Sequence, residues 1–144
     1  MSKLSRAKVE KLAHDKRPAA KRLVARAAAP EPSGPRLRRA VPILPVLDIG
    51  RAIEFYAGQL GFAPGSRFED HALLSRDDVE ILLRRSADPA LPKAGGCRVA
   101  ADDAAALFAE WSALGIVQAA GTPAEFDVID PDGNVLTFAE AGGL

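Results

Sequence analysis

The run Asp48-Ile49-Gly50-Arg51-Ala52-Ile53-Glu54-Phe55-Tyr56, closed by Leu60-Gly61-Phe62, has an echo that starts at Asp102 and closes at Leu114-Gly115-Ile116. In both stretches an acidic residue precedes a helical run and Leu-Gly ends it, and the Asp-to-Gly separation is 13 positions each time. A unit repeated at this spacing is too long for a hairpin. It suits a supersecondary block that buries its core only by pairing with its copy. The chain reads as one domain made of two related modules.

A net charge of zero conceals an asymmetry. Residues 1–39 carry twelve Lys/Arg against three Asp/Glu, and the remainder carries 7 against 16, which gives a +9 arm on a −9 body. Pro18, Pro30, Pro32 and Pro35 interrupt any helix in the arm, and residues 30–35 read as linker. The expectation is a flexible basic extension over residues 1–39 and a folded domain over 40–144, with modules at about 40–85 and 96–142. Dense Lys/Arg permits contact with nucleic acid through the arm. No apolar run approaches the roughly 18 residues of a membrane span, and the N-terminus lacks the apolar core of a signal peptide, so a cytoplasmic location is expected. The single cysteine, Cys97, rules out an intrachain disulfide and reads as a small apolar residue.

Each module reads β-α-β-β-β. Residues 41–47 form a strand whose Pro42 and Pro45 suit an edge position. Asp48 caps a helix with Ile49, Ile53, Tyr56 and Leu60 on one stripe, and Gly61 ends it. Strands follow at 62–68, 71–75 and 79–83. In the second module a strand at 98–101 leads to a helix capped by Asp102 or Asp103, with Leu107, Phe108, Trp111 and Leu114 on one face. Strands at 116–118, 125–129 and 135–140 complete it. Asp130-Pro131-Asp132-Gly133-Asn134 is a turn in which Pro131 presets φ and Gly133 takes a positive one. Alternation places Val79, Ile81 and Leu83 toward the helices and Glu80, Leu82 and Arg84 on the opposite face. By the same rule Leu136 and Phe138 face the helices, while Val135, Thr137 and Ala139 face away.

The repeated module, the Asp-Ile-x-Arg-Ala-Ile-x-Phe-Tyr and Leu-Gly-Phe motifs, the Ala109-Glu110-Trp111-Ser112 helix and the Asp130-to-Asn134 turn together resemble the glyoxalase/bleomycin resistance/extradiol dioxygenase superfamily. The resemblance covers residues 41–140. It implies an α+β fold in which two βαβββ modules form a curled mixed sheet around a cleft, helices lie on the outer face, and a homodimer completes the sites. Members of the superfamily either hold a divalent metal for lyase or dioxygenase chemistry or lack it and bind a drug-like ligand. The metal-ligand positions of the family map onto Val41, Leu82, Gly96 or Cys97, and Thr137. None is a carboxylate or imidazole, so no metal or other cofactor is expected.

His71 has no partner visible in the sequence that would tune it as a base. No nucleophile motif or phosphate-binding glycine loop is present, and Gly95-Gly96 reads as a turn. The resemblance to bleomycin resistance proteins thus implies a binding protein rather than an enzyme, one that sequesters an antibiotic or similar ligand. Phe68, Glu80, Leu82, Arg84, Arg98, Phe126 and Thr137 are the expected cleft residues. Residues 121–126 are shorter than the corresponding wall in similar proteins. Two alternatives follow: a metal-dependent lyase or dioxygenase with unconventional ligands, and a degenerate structural protein acting through its basic tail.

Overall fold

Strand β1, Ile43–Val46, pairs only with β4, Val79–Arg85, so it is an edge and tolerates Pro45 without losing a ladder bond. The computed structural model describes residues 34–143. Of the basic arm expected over residues 1–39, residues 1–33 lie outside the described residues. Residues 39–144 form one compact unit.

Helix α1, Ile49–Gly58, begins where the Asp48 side chain accepts the Arg51 N–H at 2.9 Å. That bond satisfies one of the donors every helix leaves free at its start. The chain leaves the helix through Gly61, whose φ of +80° lies in the left-handed region. Ile49, Tyr56 and Leu60 are buried along one side, as the spacing predicts, whereas the fourth buried position is Ala52, and Ile53 is half-buried against the edge of the core. Strands β2, Ala63–Arg67, and β3, His71–Arg76, complete a four-stranded sheet of order β1-β4-β3-β2. The β1–β4 pair is parallel and the others are antiparallel.

The second module repeats this order with losses. Strand β5, Gly96–Ala101, lies parallel to β7, Val135–Glu140, and β6, Glu125–Ile129, pairs antiparallel to β7 on its other side. The expected strand at 116–118 shrinks to a single bridge, Val117 with Val128. Helix α2, Ala104–Ala113, is capped by Asp103 rather than Asp102: its carboxylate accepts the Ala106 N–H at 3.2 Å from a left-handed backbone, φ +64°. The Asp-to-Gly echo is therefore one residue shorter in the second copy. Glu140 of β7 explains the shift, because its carboxylate accepts the N–H groups of Asp103 and Ala104 at 3.2 and 2.8 Å and serves donors that a sequence-local cap would otherwise take. Leu114, expected on the buried face, is exposed. It falls at the helix's C-terminal cap, beyond the last turn that packs on the sheet.

The helices cover one face of each sheet. Between α1 and the first sheet lie Leu44, Val46, Tyr56, Leu74, Ile81 and Leu83; between α2 and the second lie Trp111, Phe126, Val128, Leu136 and Phe138. Trp111, Phe126 and Phe138 meet at ring-centroid distances of 4.8 to 6.0 Å. Such pairs add about 0.5–1.5 kcal/mol each beyond simple burial.

The modules are joined through the turn after β6. Asp130 Oδ1 accepts the N–H groups of Asp132, Gly133 and Asn134, each at 2.9 Å. Its Oδ2 accepts the Tyr56 hydroxyl and the Asn134 amide, both at 2.8 Å, and the same amide donates to the Pro45 carbonyl at 2.7 Å. Arg51 of α1 pairs with the buried Asp132. Gly95 and Gly96, expected as a turn, instead let the backbone approach this junction: a Cβ on Gly95 would sit 2.1 Å from Asn134 Oδ1, and one on Gly96 2.3 Å from the Val135 carbonyl. Only glycine allows β5 to start there.

Candidate functional site

The faces turned away from the helices carry the candidate site. Strand register decides which residues share them, because paired residues on neighbouring strands point the same way. On the first sheet, Ile43, Leu82 and Leu73 form a cross-strand apolar row. On one side of it lies the pair Glu80 and Ser75; on the other lies the row Pro45, Arg84 and His71.

Glu80, Leu82 and Arg84 thus lie together on the open face. Glu80 forms an ion pair with Arg39, Nε to Oε1 at 2.7 Å, in a geometry that makes no directed hydrogen bond. Arg84 is exposed. Phe68, just past β2, is also exposed and stacks on the His71 ring, centroids 4.5 Å apart with planes 20° from parallel. His71 does have a partner, contrary to the sequence reading: its Nδ1 lies 2.8 Å from Asp70 Oδ1. That hydrogen bond holds the Asp70 carboxyl below its ordinary value. A ring fixed between an aromatic face and a carboxylate is an oriented contact surface. The adjacent pair Asp70-His71 was the available signal, but proximity in sequence does not reveal which way two strand-end side chains turn.

The open face of the second sheet is more polar and is satisfied within itself. Arg98 reaches across β7 to Glu125 through two contacts, Nη1 to Oε2 at 3.2 Å and Nη2 to Oε1 at 3.0 Å. The hydrogen bond between them raises Arg98 and lowers Glu125 from their ordinary values. Thr137 donates to Asp127 Oδ1 at 2.6 Å. Arg98 and Thr137 are register partners on this face, with Asp127 beyond them.

Phe126 does not join the others. It is 2% exposed and packs against Phe108, Trp111 and Phe138 on the helix side. The alternation Glu125-Phe126-Asp127-Val128 carried the signal for this, since Phe126 shares its parity with buried Val128. The wall beside it is a tight turn in which Glu125 N–H bonds back to the Thr122 carbonyl at 3.1 Å. Gly121 lies so close that a Cβ there would meet the Phe126 Cβ at 2.6 Å.

The donor set does not fit a divalent metal. Val41, Leu82, Gly96, Cys97 and Thr137 offer no carboxylate or imidazole, and among the described residues no three His, Cys, Asp or Glu side chains converge. Cys97 is half-buried on the helix side of β5, where burial pushes its thiol up and so away from the reactive thiolate. No helix among the described residues is long and apolar enough to cross a membrane.

Comparison with known proteins places these features. No protein-family profile matches the chain. It is 26% identical over 124 residues to a bleomycin resistance protein of Geobacillus stearothermophilus, covering 69% of this chain and 94% of that one, and shows the same figures against one from Staphylococcus aureus. Its fold resembles the crystal structure of the bleomycin-binding protein from bleomycin-producing Streptomyces verticillus complexed with copper(II)-bleomycin. That match has a TM-score of 0.66 at 24% identity over 73% of this chain and 97% of that one. A bleomycin resistance determinant encoded on the transposon Tn5 matches with a TM-score of 0.61 at 24% identity, over 72% and 98% of the two chains.

Proposed function

We propose that this chain, which resembles bleomycin resistance proteins in sequence and in fold, is a metal-independent binding protein that sequesters a drug-like small molecule on the open faces of its sheets. The observation that carries this reading is the likeness to resistance proteins taken together with the character of the open sheet faces. Proteins that align with this chain along 94% of their own length include bleomycin resistance proteins. The open sheet faces of this chain present an apolar row and oriented polar contacts. Binding then draws on burial against Ile43, Leu73 and Leu82, stacking on Phe68, and the polar groups of Glu80, Arg84, Arg98 and Thr137. A homodimer accords with the half-open character of each face, since a second copy would enclose a ligand that one chain only supports.

The test is isothermal titration with bleomycin in the presence of EDTA, with the ligand recovered and checked by mass spectrometry. Saturable binding of unaltered ligand by a dimer is expected. Altered ligand appearing only when a divalent ion is added would replace this reading with catalysis, and absence of binding would exclude bleomycin as the ligand.

A further inference from the structure

A groove of about 420 Å³ opens at the β1 edge of the first sheet, lined by Ile43, Pro45, Arg84, Arg85, Leu91 and Ala94. Its size falls within the range of small-molecule sites. Ile43 and Leu91 are 48% and 49% exposed, so two large aliphatic side chains stand half in water across a concavity that a ligand would dry. The charge at the groove is unbalanced. Glu80 has Arg39, Asp132 has Arg51, Asp70 has His71 and Glu125 has Arg98, but Arg84 enters no ion pair among the described residues. Arg85 adds a second positive group, one whose charge also reaches Asp70.

We infer that this groove is the selective end of the ligand site, and that it takes the carboxylate or sulfonate of an amphipathic aromatic molecule on Arg84, with the apolar body against Ile43 and Leu91. The inference rests on the reading of the open face as a small-molecule site and adds the sign of the ligand's charge. The −9 of residues 40–144 does not oppose it. Exposed charges more than a Debye length away, about 8 Å at physiological salt, are largely screened, whereas a guanidinium in contact with a carboxylate is not. The planar fork of Arg84 can also engage two oxygens of a carboxylate or sulfonate at once, which a single-atom anion cannot match.

The experiment compares two fluorescent probes with the same aromatic character, the sulfonate 8-anilinonaphthalene-1-sulfonate and the uncharged N-phenyl-1-naphthylamine, on the full chain. The sulfonate should saturate at one site per chain and bind at least about tenfold more tightly than the neutral probe, the worth of one charge-assisted contact. Arg84→Gln should remove that advantage by weakening the sulfonate far more than the neutral probe, Arg84→Lys should restore part of it, and Leu91→Ser should weaken both probes. Thermal unfolding of each variant confirms that the fold is retained. Equal affinities for the two probes, or an Arg84→Gln variant that binds the sulfonate as well as the parent, would overturn the anion preference while leaving sequestration standing. Failure of both probes to bind would remove the groove as a ligand site, and the bleomycin titration would then decide sequestration separately.

Discussion

The Tyr56 hydroxyl donates to Asp130 Oδ2 at 2.8 Å, across 74 positions of sequence and with both groups buried. This one bond ties the first helix of the first module to the last turn of the second. Asp130 is the centre of the junction because its other oxygen is already committed to three backbone N–H groups of its own turn. A carboxylate so fixed presents its second oxygen in one direction only, and Tyr56 and Asn134 share it.

Tyr56→Phe should therefore lower stability by about 1.5–3 kcal/mol, the range for hydrogen bonds to charged groups. Urea unfolding followed by Trp111 fluorescence should show a lower midpoint with an unchanged slope. A midpoint equal to the parent's would mean that the contact contributes nothing net.

Tyr56 also sets an alkaline limit. Burial first, and Asp130 second, raise its hydroxyl pKa well above the ordinary value of 10.0. The stabilisation that follows is fully present below pH 10 and is lost as pH rises above it, because the unfolded chain ionises there while the folded one does not. Tyr56 is the only tyrosine, so absorbance at 295 nm reports it alone. Tyrosinate should appear together with loss of the far-ultraviolet circular dichroism signal. A tyrosinate signal from protein that is still folded would contradict the buried bond.

Two glycines should respond with opposite signs. Gly96→Ala drives a Cβ to 2.3 Å from the Val135 carbonyl and should cost about 1–3 kcal/mol as an overpacked site does. Gly58→Ala, in the last turn of α1 with nothing within 4 Å, should stabilise by about 0.5–1 kcal/mol through helix propensity. Thermal unfolding of the two variants side by side measures both.

Phe126 and Phe68 separate core from contact surface. Phe126→Ala should destabilise by about 3–5 kcal/mol, the loss typical of a buried aromatic ring. Phe68→Ala, at a position 55% exposed, should change stability little and weaken ligand binding measured by titration. A stability loss at Phe68 as large as that at Phe126 would move Phe68 out of the site.

The ion pair of Arg98 with Glu125 should show in acid. The Glu125 carboxyl sits below its ordinary value of 4.5 because of Arg98, so its contribution is present above that pH and fades as pH falls through the lowered value. Both side chains are exposed, so the effect should be small and should diminish with added salt. Unfolding curves at pH 3 to 6 in low and high salt, for the parent and Glu125→Gln, would reveal it. Identical pH dependence in the two proteins would show that the pair contributes nothing.

The sequence by itself determined what nearest-neighbour chemistry controls. The Asp48 cap, the glycines that end the helices, the positive φ of Gly133 and the alternation that turns Ile81, Leu83, Leu136 and Phe138 inward all depend on groups within four residues of one another. The two-module plan followed from repeating them. Tertiary structure alone decided the rest: that Glu140 moves the second cap to Asp103, that residues 116–118 keep one bridge, that Asp130 reaches Tyr56, and that among the described residues Arg84 is left without a carboxylate while Glu80, Asp70 and Glu125 each have a partner. The deciding contacts, Glu140 to Ala104 and Tyr56 to Asp130, join residues 36 and 74 positions apart. Which distant side chains meet is set by strand register and by the docking of one module on the other, and each depends on the whole core being assembled.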